Sequence, residues 1–258
     1  MISKSNQESQ ILGVTIDSIV ISNLHNKIDE FIIGNQKSIV SNVNIQALNL
    51  AFNNKWFRNF LNQSEIVFCD GFGVKVAAKI LGFDIPERIT YADWTWSLAK
   101  LCEENLFSLF FLGGKEQIAG LAAQKLKQRF PALPISGTHH GYFNKTFNHP
   151  ENEAVIKAIN EAKADILLIG FGMPLQEKWI MENFDRLDVK VFMPVGAAFD
   201  YVSGSVRRAP RWMTDHGLEW LGRLIIEPRR LWKRYIMGIP LFFWRVLLQR
   251  LGLLKIKD

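Results

Sequence analysis

The fold is decided by residues 165–194, DILLIGFGMPLQEKWIMENFDRLDVKVFMP. A near-continuous apolar run ends in a Gly-Phe-Gly-Met-Pro turn, a stretch of helical period follows, and a second apolar run closes it. Strands buried on both faces read as such unbroken runs, and a helix between two of them makes a βαβ crossover with the strands parallel. The same alternation extends outward from this unit. Strands are expected at 39–41, 66–69, 106–112, 133–136, 165–170 and 189–194, and helices at 45–52, 73–81, 92–104, 117–130, 151–162 and 175–183. The predicted class is α/β: a Rossmann-like, mostly parallel sheet flanked by helices. Residues 137–150 (GTHHGYFNKTFNHP) have no period and read as a loop.

Of the 258 residues, 48% are apolar and 22% charged, which suits a chain that buries a core and excludes disordered and collagen-like classes. The first twenty residues carry no basic stretch followed by an apolar one, and nowhere do eighteen uncharged apolar residues run together. Export and a spanning helix are therefore not expected, and a cytoplasmic location is. Cys69 and Cys102 have no metal or redox spacing and read as buried thiols.

The net charge of +6 is unevenly placed. Residues 205–258 hold twelve Lys or Arg against four acids, a net of +8, leaving −2 for the rest. The boundary divides the chain into a catalytic core, 1–204, and a basic, amphipathic helical appendage, 205–258. Helical blocks are expected from Thr214 to Glu227, from Pro228 and from Pro240, because proline favours a first helical turn. In the middle block Leu231, Trp232, Tyr235 and Ile236 fall on one face, with Arg229, Arg230, Lys233 and Arg234 beside it. The longest uncharged run of this segment, 235–244, is too short and too broken by Pro240 to span a bilayer. Such a segment lies on an anionic membrane surface or against protein, another copy of the chain (a homo-oligomer) included.

Parallel sheets bind ligands at the carboxyl ends of their strands. Asn42 and Asn44, Asp70, Gly113 and Gly114, Gly172, Pro174, Gln176 and Glu177, and Asp200 all follow predicted strands. Gly113-Gly114 is either a phosphate turn or a plain βα turn. Asp70 is either a general base or the cap of the next helix. No complete GxGxxG, Walker loop or DxD occurs, and His139-His140 lack partners at zinc spacing, so no metal site is expected.

The blocks CDGFGVKVAAK (69–79), PERIT (86–90), FLGG (111–114), GFGMPLQEKWI (170–180) and PVGAAFDYVSGSVRRAPRWMTDHGLEWLGRLIIEPRRLWKRY (194–235) resemble the WecG/TagA/CpsF glycosyltransferases, in the family's order. The resemblance implies an inverting, metal-independent transferase without a cofactor. It would move a hexose (N-acetylmannosamine-type, N-acetylmannosaminuronate or glucose) from a UDP-sugar to a polyprenyl-pyrophosphate-linked sugar, in teichoic acid or exopolysaccharide synthesis. It implies Asp70 as base and Arg88, Gln176 and Asp200 as UDP-sugar contacts. Gly113-Gly114 and Gly172 to Pro174 would turn around the nucleotide, and Arg223, Arg230 and Lys233 would meet the pyrophosphates. The enzyme would then sit peripherally on the inner face of the cell membrane. Two positions depart from the family pattern: Asn42 stands where many members have threonine, and Tyr91 where glycine is frequent. On residue types alone, a basic, aromatic nucleic-acid-binding protein and a nicotinamide-dependent oxidoreductase remain alternatives. The resemblance implies no nucleic acid.

Overall fold

The computed structural model describes residues 9–256; residues 1–8 of the expected core and Lys257 and Asp258 lie outside the described residues, as do the side chains of Asp215 and Arg230. Strands β1 (Gln10–Ile11) and β2 (Val14–Thr15) form an antiparallel pair. The main sheet contains β3 (Ser38–Val43), β4 (Ile66–Cys69), β5 (Leu109–Gly113), β6 (Ile135–His139), β7 (Ile166–Gly170) and β8 (Val191–Pro194). All are parallel, in the order β4-β3-β8-β7-β5-β6. After β4 the chain crosses over β3, β8 and β7 to reach β5, so a crevice opens at the carboxyl ends of β3 and β8, where the winding direction changes.

Helices cover both faces: α1 (Ile21–Ile33), α2 (Ile45–Asn53), α3 (Lys55–Gln63), α4 (Phe72–Leu81), α5 (Tyr91–Asn105), α6 (Ile118–Arg129), α7 (Pro150–Ala162), α8 (Leu175–Asn183) and α9 (Ala198–Ser203). Alternation along the strands builds two cores. Val67, Cys69, Leu167, Ile169 and Phe192 face one cluster, while Ile66, Phe68, Leu168, Val191 and Met193 face the other. The expected fold class and both buried cysteines are what the structure shows.

Several expected boundaries move for local reasons. The strand expected at 106–112 begins at Leu109, because Leu106 ends α5 in the left-handed conformation with φ +58°. The strand expected at 133–136 runs through Gly137, Thr138 and His139, taking residues from the expected loop. Here Gly137 is required, since a Cβ would meet the Phe110 ring at 2.4 Å.

The C-terminal segment forms α10 (Arg211–Asp215), α11 (Glu219–Ile226), α12 (Pro228–Trp232), a π turn (Lys233–Met237) and α13 (Gly238–Arg250). The single helix expected at 214–227 is split at Gly217, whose φ is +74°. The helix expected to start at Pro240 already runs from Gly238. The expected apolar face is divided: Leu231 and Tyr235, four residues apart, are buried, but Trp232 and Ile236 are exposed.

α13 packs on α2 and α4, and its Phe242 and Val246 are fully buried in the first core cluster. Gln249 Oε1 accepts from the Leu12 amide at 2.8 Å, and Arg245 donates to Asn49 (2.8 Å) and Asn53 (3.1 Å) while stacking on Phe52. Arg245 thus points into α2, not out of an apolar surface helix. No helix among the described residues is long and apolar enough to cross a membrane.

Candidate active site

The crevice at the carboxyl ends of β3, β4 and β8 is a cavity of about 280 Å³, with Asp70, Asn42, Arg88 and Gln176 from the core and Glu219 and Arg223 from α11 among its walls. A second cavity of about 830 Å³ adjoins it over β5 and β7 and includes Gly114, Lys145 and Asp200. Gly172, Gly196, Ala197 and Arg223 line both, so the two form one cleft.

Asp70 follows β4 directly. It does not cap α4: Gly71 holds that position, and no side-chain bond is made there. The carboxylate oxygen Oδ2 instead accepts from Asn42 Nδ2 at 2.8 Å. Burial pushes its carboxyl up to about 7; Glu219 adds to this, and Arg88, Arg223 and the Asn42 hydrogen bond oppose it. A carboxyl poised there is matched to proton transfer near neutral pH. Asn44 does the capping work of its own element, accepting from the Gln46 and Ala47 amides at the start of α2.

Gln176 is 1% exposed, and its Oε1 accepts from two turn amides, Gly172 at 3.0 Å and Gly196 at 3.1 Å. Its Nε2 donates to Glu177 Oε1 at 2.9 Å. The pair staples the turn after β7 to the turn after β8. Glu177 is therefore a buried support at 3% exposure, off both cavity walls, and burial pushes its carboxyl up to about 7.

Gly113 and Pro174 also lie behind the walls. Gly113, at φ +149°, passes so close to Gly170 that a Cβ would lie 2.5 Å from its carbonyl oxygen, and Pro174 ends a cis Met173-Pro174 bond ahead of α8. Gly114 and Asp200 line the second cavity. There Lys145 Nζ sits 4.2 and 4.4 Å from the Phe143 and Phe171 ring centroids, and burial lowers its pKa.

Arg88 Nη1 is 3.3 Å from Glu219 Oε2, and its Nη2 donates to the Thr214 carbonyl at 3.4 Å. Arg223 stacks over the Tyr201 ring at 5.6 Å. Lys233 is exposed, beside the Trp232 ring, and lies outside both cavities. Its neighbour Arg234, also in the π turn, lines the Asp70 cavity instead. Arg230 lies on α12, with its side chain outside the described residues. Glu219, Arg234, Tyr91 and Tyr201 are wall residues that the sequence reading did not select. The basic block hid Glu219 and Arg234, whose inward facing depends on the split at Gly217 and on the π turn.

The sequence model of the glycosyl transferase WecG/TagA/CpsF family matches residues 9–255. The chain belongs to that family. It is a glycosyltransferase, and its relatives include a Staphylococcus aureus (strain MRSA252) protein, 29% identical over 92% of this chain and 91% of the relative. Another, from strain NCTC 8325 / PS 47, is also 29% identical with the same coverage, and one from strain MW2 is 28% identical. Each is named an N-acetylglucosaminyldiphosphoundecaprenol N-acetyl-β-D-mannosaminyltransferase. In this glycosyltransferase the matched region includes the C-terminal helices through α13, which build part of the cleft and part of the core.

Proposed function

We propose that this glycosyltransferase moves a hexose of the N-acetylmannosamine type from a UDP-sugar to a polyprenyl-diphosphate-linked sugar, with inversion and without a metal, in cell-envelope polymer synthesis. The observation that carries the reading is the Asp70 carboxyl, set near neutrality in a cleft that also holds Arg88, Arg223 and Arg234. Asn42 occupies Oδ2, and Oδ1 has no hydrogen-bond partner among the described residues. Oδ1 takes the proton of the acceptor hydroxyl as the hydroxyl oxygen attacks the anomeric carbon from the face opposite UDP. The new glycosidic bond forms as the bond to the β-phosphate oxygen breaks, and that electron pair leaves with UDP. The arginines offset the charge that develops on the diphosphate. The relatives' names support the diphosphate-linked N-acetylglucosamine acceptor and the N-acetylmannosamine donor.

The C-terminal segment supports a peripheral site of action on the inner membrane face. Trp212, Trp232, Trp244, Ile236 and Leu251 are exposed on it among Lys and Arg, the combination that lies in an anionic interface. The test is UDP release by purified enzyme in detergent, from a panel of UDP-hexoses with an N-acetylglucosamine-diphosphate-lipid acceptor. Release that needs the acceptor and survives EDTA is expected. Release abolished by EDTA refutes the metal-free reaction, and no release across the panel refutes the acceptor.

A further inference from the structure

The C-terminal segment delivers a carboxylate, as well as cations, to the Asp70 cavity. Glu219 is the first residue of α11, and its side chain is 20% exposed on the cavity wall. Its Oε2 lies 3.3 Å from Arg88 Nη1, and its Oε1 lies 3.9 Å from Arg208 Nε. Arg208 is anchored in turn on α5: its Nη2 donates to Asp93 Oδ2 at 2.6 Å, and that oxygen also accepts from Thr90 Oγ1 at 2.9 Å. Glu219 is thus the link between an arginine of the core and an arginine of the chain leading into α10, inside the cavity that holds Asp70.

We propose that Glu219 is a positioning residue for the transfer reaction: with α11 docked, it holds Arg88 at the cavity wall and sets the electrostatic field in which Asp70 works. The proposal rests on Asp70 being the base. Two carboxylates in one cavity resist ionising together. Glu219 has two arginines within 4 Å, whereas the one side-chain donor to Asp70 is Asn42, so the like-charge penalty bears on Asp70. Glu219 is accordingly the strongest charge acting to raise the Asp70 carboxyl.

The groups facing Asp70 are Asn42 from β3, Arg88 from the loop before α5, Tyr91 from α5, and Glu219 and Arg223 from α11, with Arg234 of the π turn on the wall of the same cavity. Those facing Glu219 are Arg88, Arg208, Tyr201 and Arg223. When α11 leaves, Arg88 loses its carboxylate and Asp70 loses its like-charged neighbour. Both changes lower the Asp70 carboxyl and weaken it as a base; Arg223 leaves with the same helix and acts in the opposite sense, but its effect on Asp70 is smaller than that of Glu219. Docking of the C-terminal helices therefore sets the strength of the base as well as gripping phosphate.

The test uses the full chain with Glu219→Gln, Glu219→Asp and Arg208→Gln. The Asp70 carboxyl is titrated directly by ¹³C NMR of labelled aspartate, its signal assigned by its loss in Asp70→Asn, and the acid limb of kcat is measured alongside. Glu219→Gln is expected to move both downward by about one pH unit, the size of a close charge effect. Glu219→Asp, which keeps the charge, is expected to restore most of the shift. Arg208→Gln, which uncovers the Glu219 charge and gives a second test if Glu219→Gln does not fold, is expected to move both upward. An Asp70 titration unmoved in folded Glu219→Gln, or a Glu219→Asp variant indistinguishable from Glu219→Gln, overturns the proposal. A moved titration with an unmoved kcat limb overturns the base assignment, and with it any catalytic role for Glu219.

Discussion

Replacing Asp70 with Asn removes the base while keeping a side chain of nearly the same shape beside Asn42. Loss of general-base help lowers kcat by about 10²- to 10⁴-fold. In the unmodified enzyme the carboxyl stands at about 7, so kcat rises about tenfold per pH unit below neutrality and flattens above it. The same displacement has a stability consequence of known sign. The folded carboxyl is raised above the ordinary 3.8, so between about pH 4 and 7 the folded chain binds more protons than the unfolded one, and stability falls as pH rises through that window. At about 1.4 kcal/mol per pH unit, the displacement from 3.8 to about 7 sets a ceiling of about 4 kcal/mol. Cavity water screens part of it, leaving about 1–2 kcal/mol expected. Asp70→Asn has no charge to bury, so its melting temperature should exceed that of the unmodified enzyme at pH 8 and approach it at pH 5. UDP release and thermal melts at the two pH values measure both effects. Residual activity above about a tenth refutes the base, given the usual size of the effect, and a melting difference independent of pH refutes the raised carboxyl.

Asn42→Ala removes the hydrogen bond that favours the ionised Asp70, so the acid limb of kcat should move upward, opposite to Glu219→Gln; a pH-rate profile checks the sign. Glu177→Gln keeps an acceptor for Gln176 and removes a buried carboxyl raised to about 7. Its gain in denaturant midpoint should be larger at pH 8 than at pH 5, because the Glu177 charge opposes folding only as pH rises toward and past that value. Phe242→Ala empties a fully buried site between α13 and the core and should cost about 3–5 kcal/mol in urea unfolding. Removing 205–258 altogether would uncover the same surface of α2 and α4.

Much of the fold was legible in the sequence because buried parallel strands are written as apolar runs, and the six main strands were found within a few residues of their observed ends. The β1–β2 pair, α1, α3 and α9 were missed. The hairpin strands are two residues each and carry no readable period. Which candidate residues share a cavity was legible where placement follows from chain position. Asn42 and Asp70 come together because they end, or follow, the neighbouring strands β3 and β4, and Gln176 reaches the same cavity from the helix after β7.

By itself, the sequence determined the α/β class, the parallel sheet, the polar residues at the carboxyl ends of its strands and the concentration of cations after residue 204, because each is carried by local residue pattern. Only the tertiary structure decided which of those residues face the cleft. Glu177 and Gly113 pack behind its walls, Lys233 turns outward, and Arg234 and Glu219 turn inward. It also decided that α13 belongs to the core, through Phe242 and Val246. The reason is physical: helix breaks at Gly217 and at the π turn, and contacts between residues nearly two hundred positions apart, set the facing of each side chain. Neither has a period that the chain alone displays.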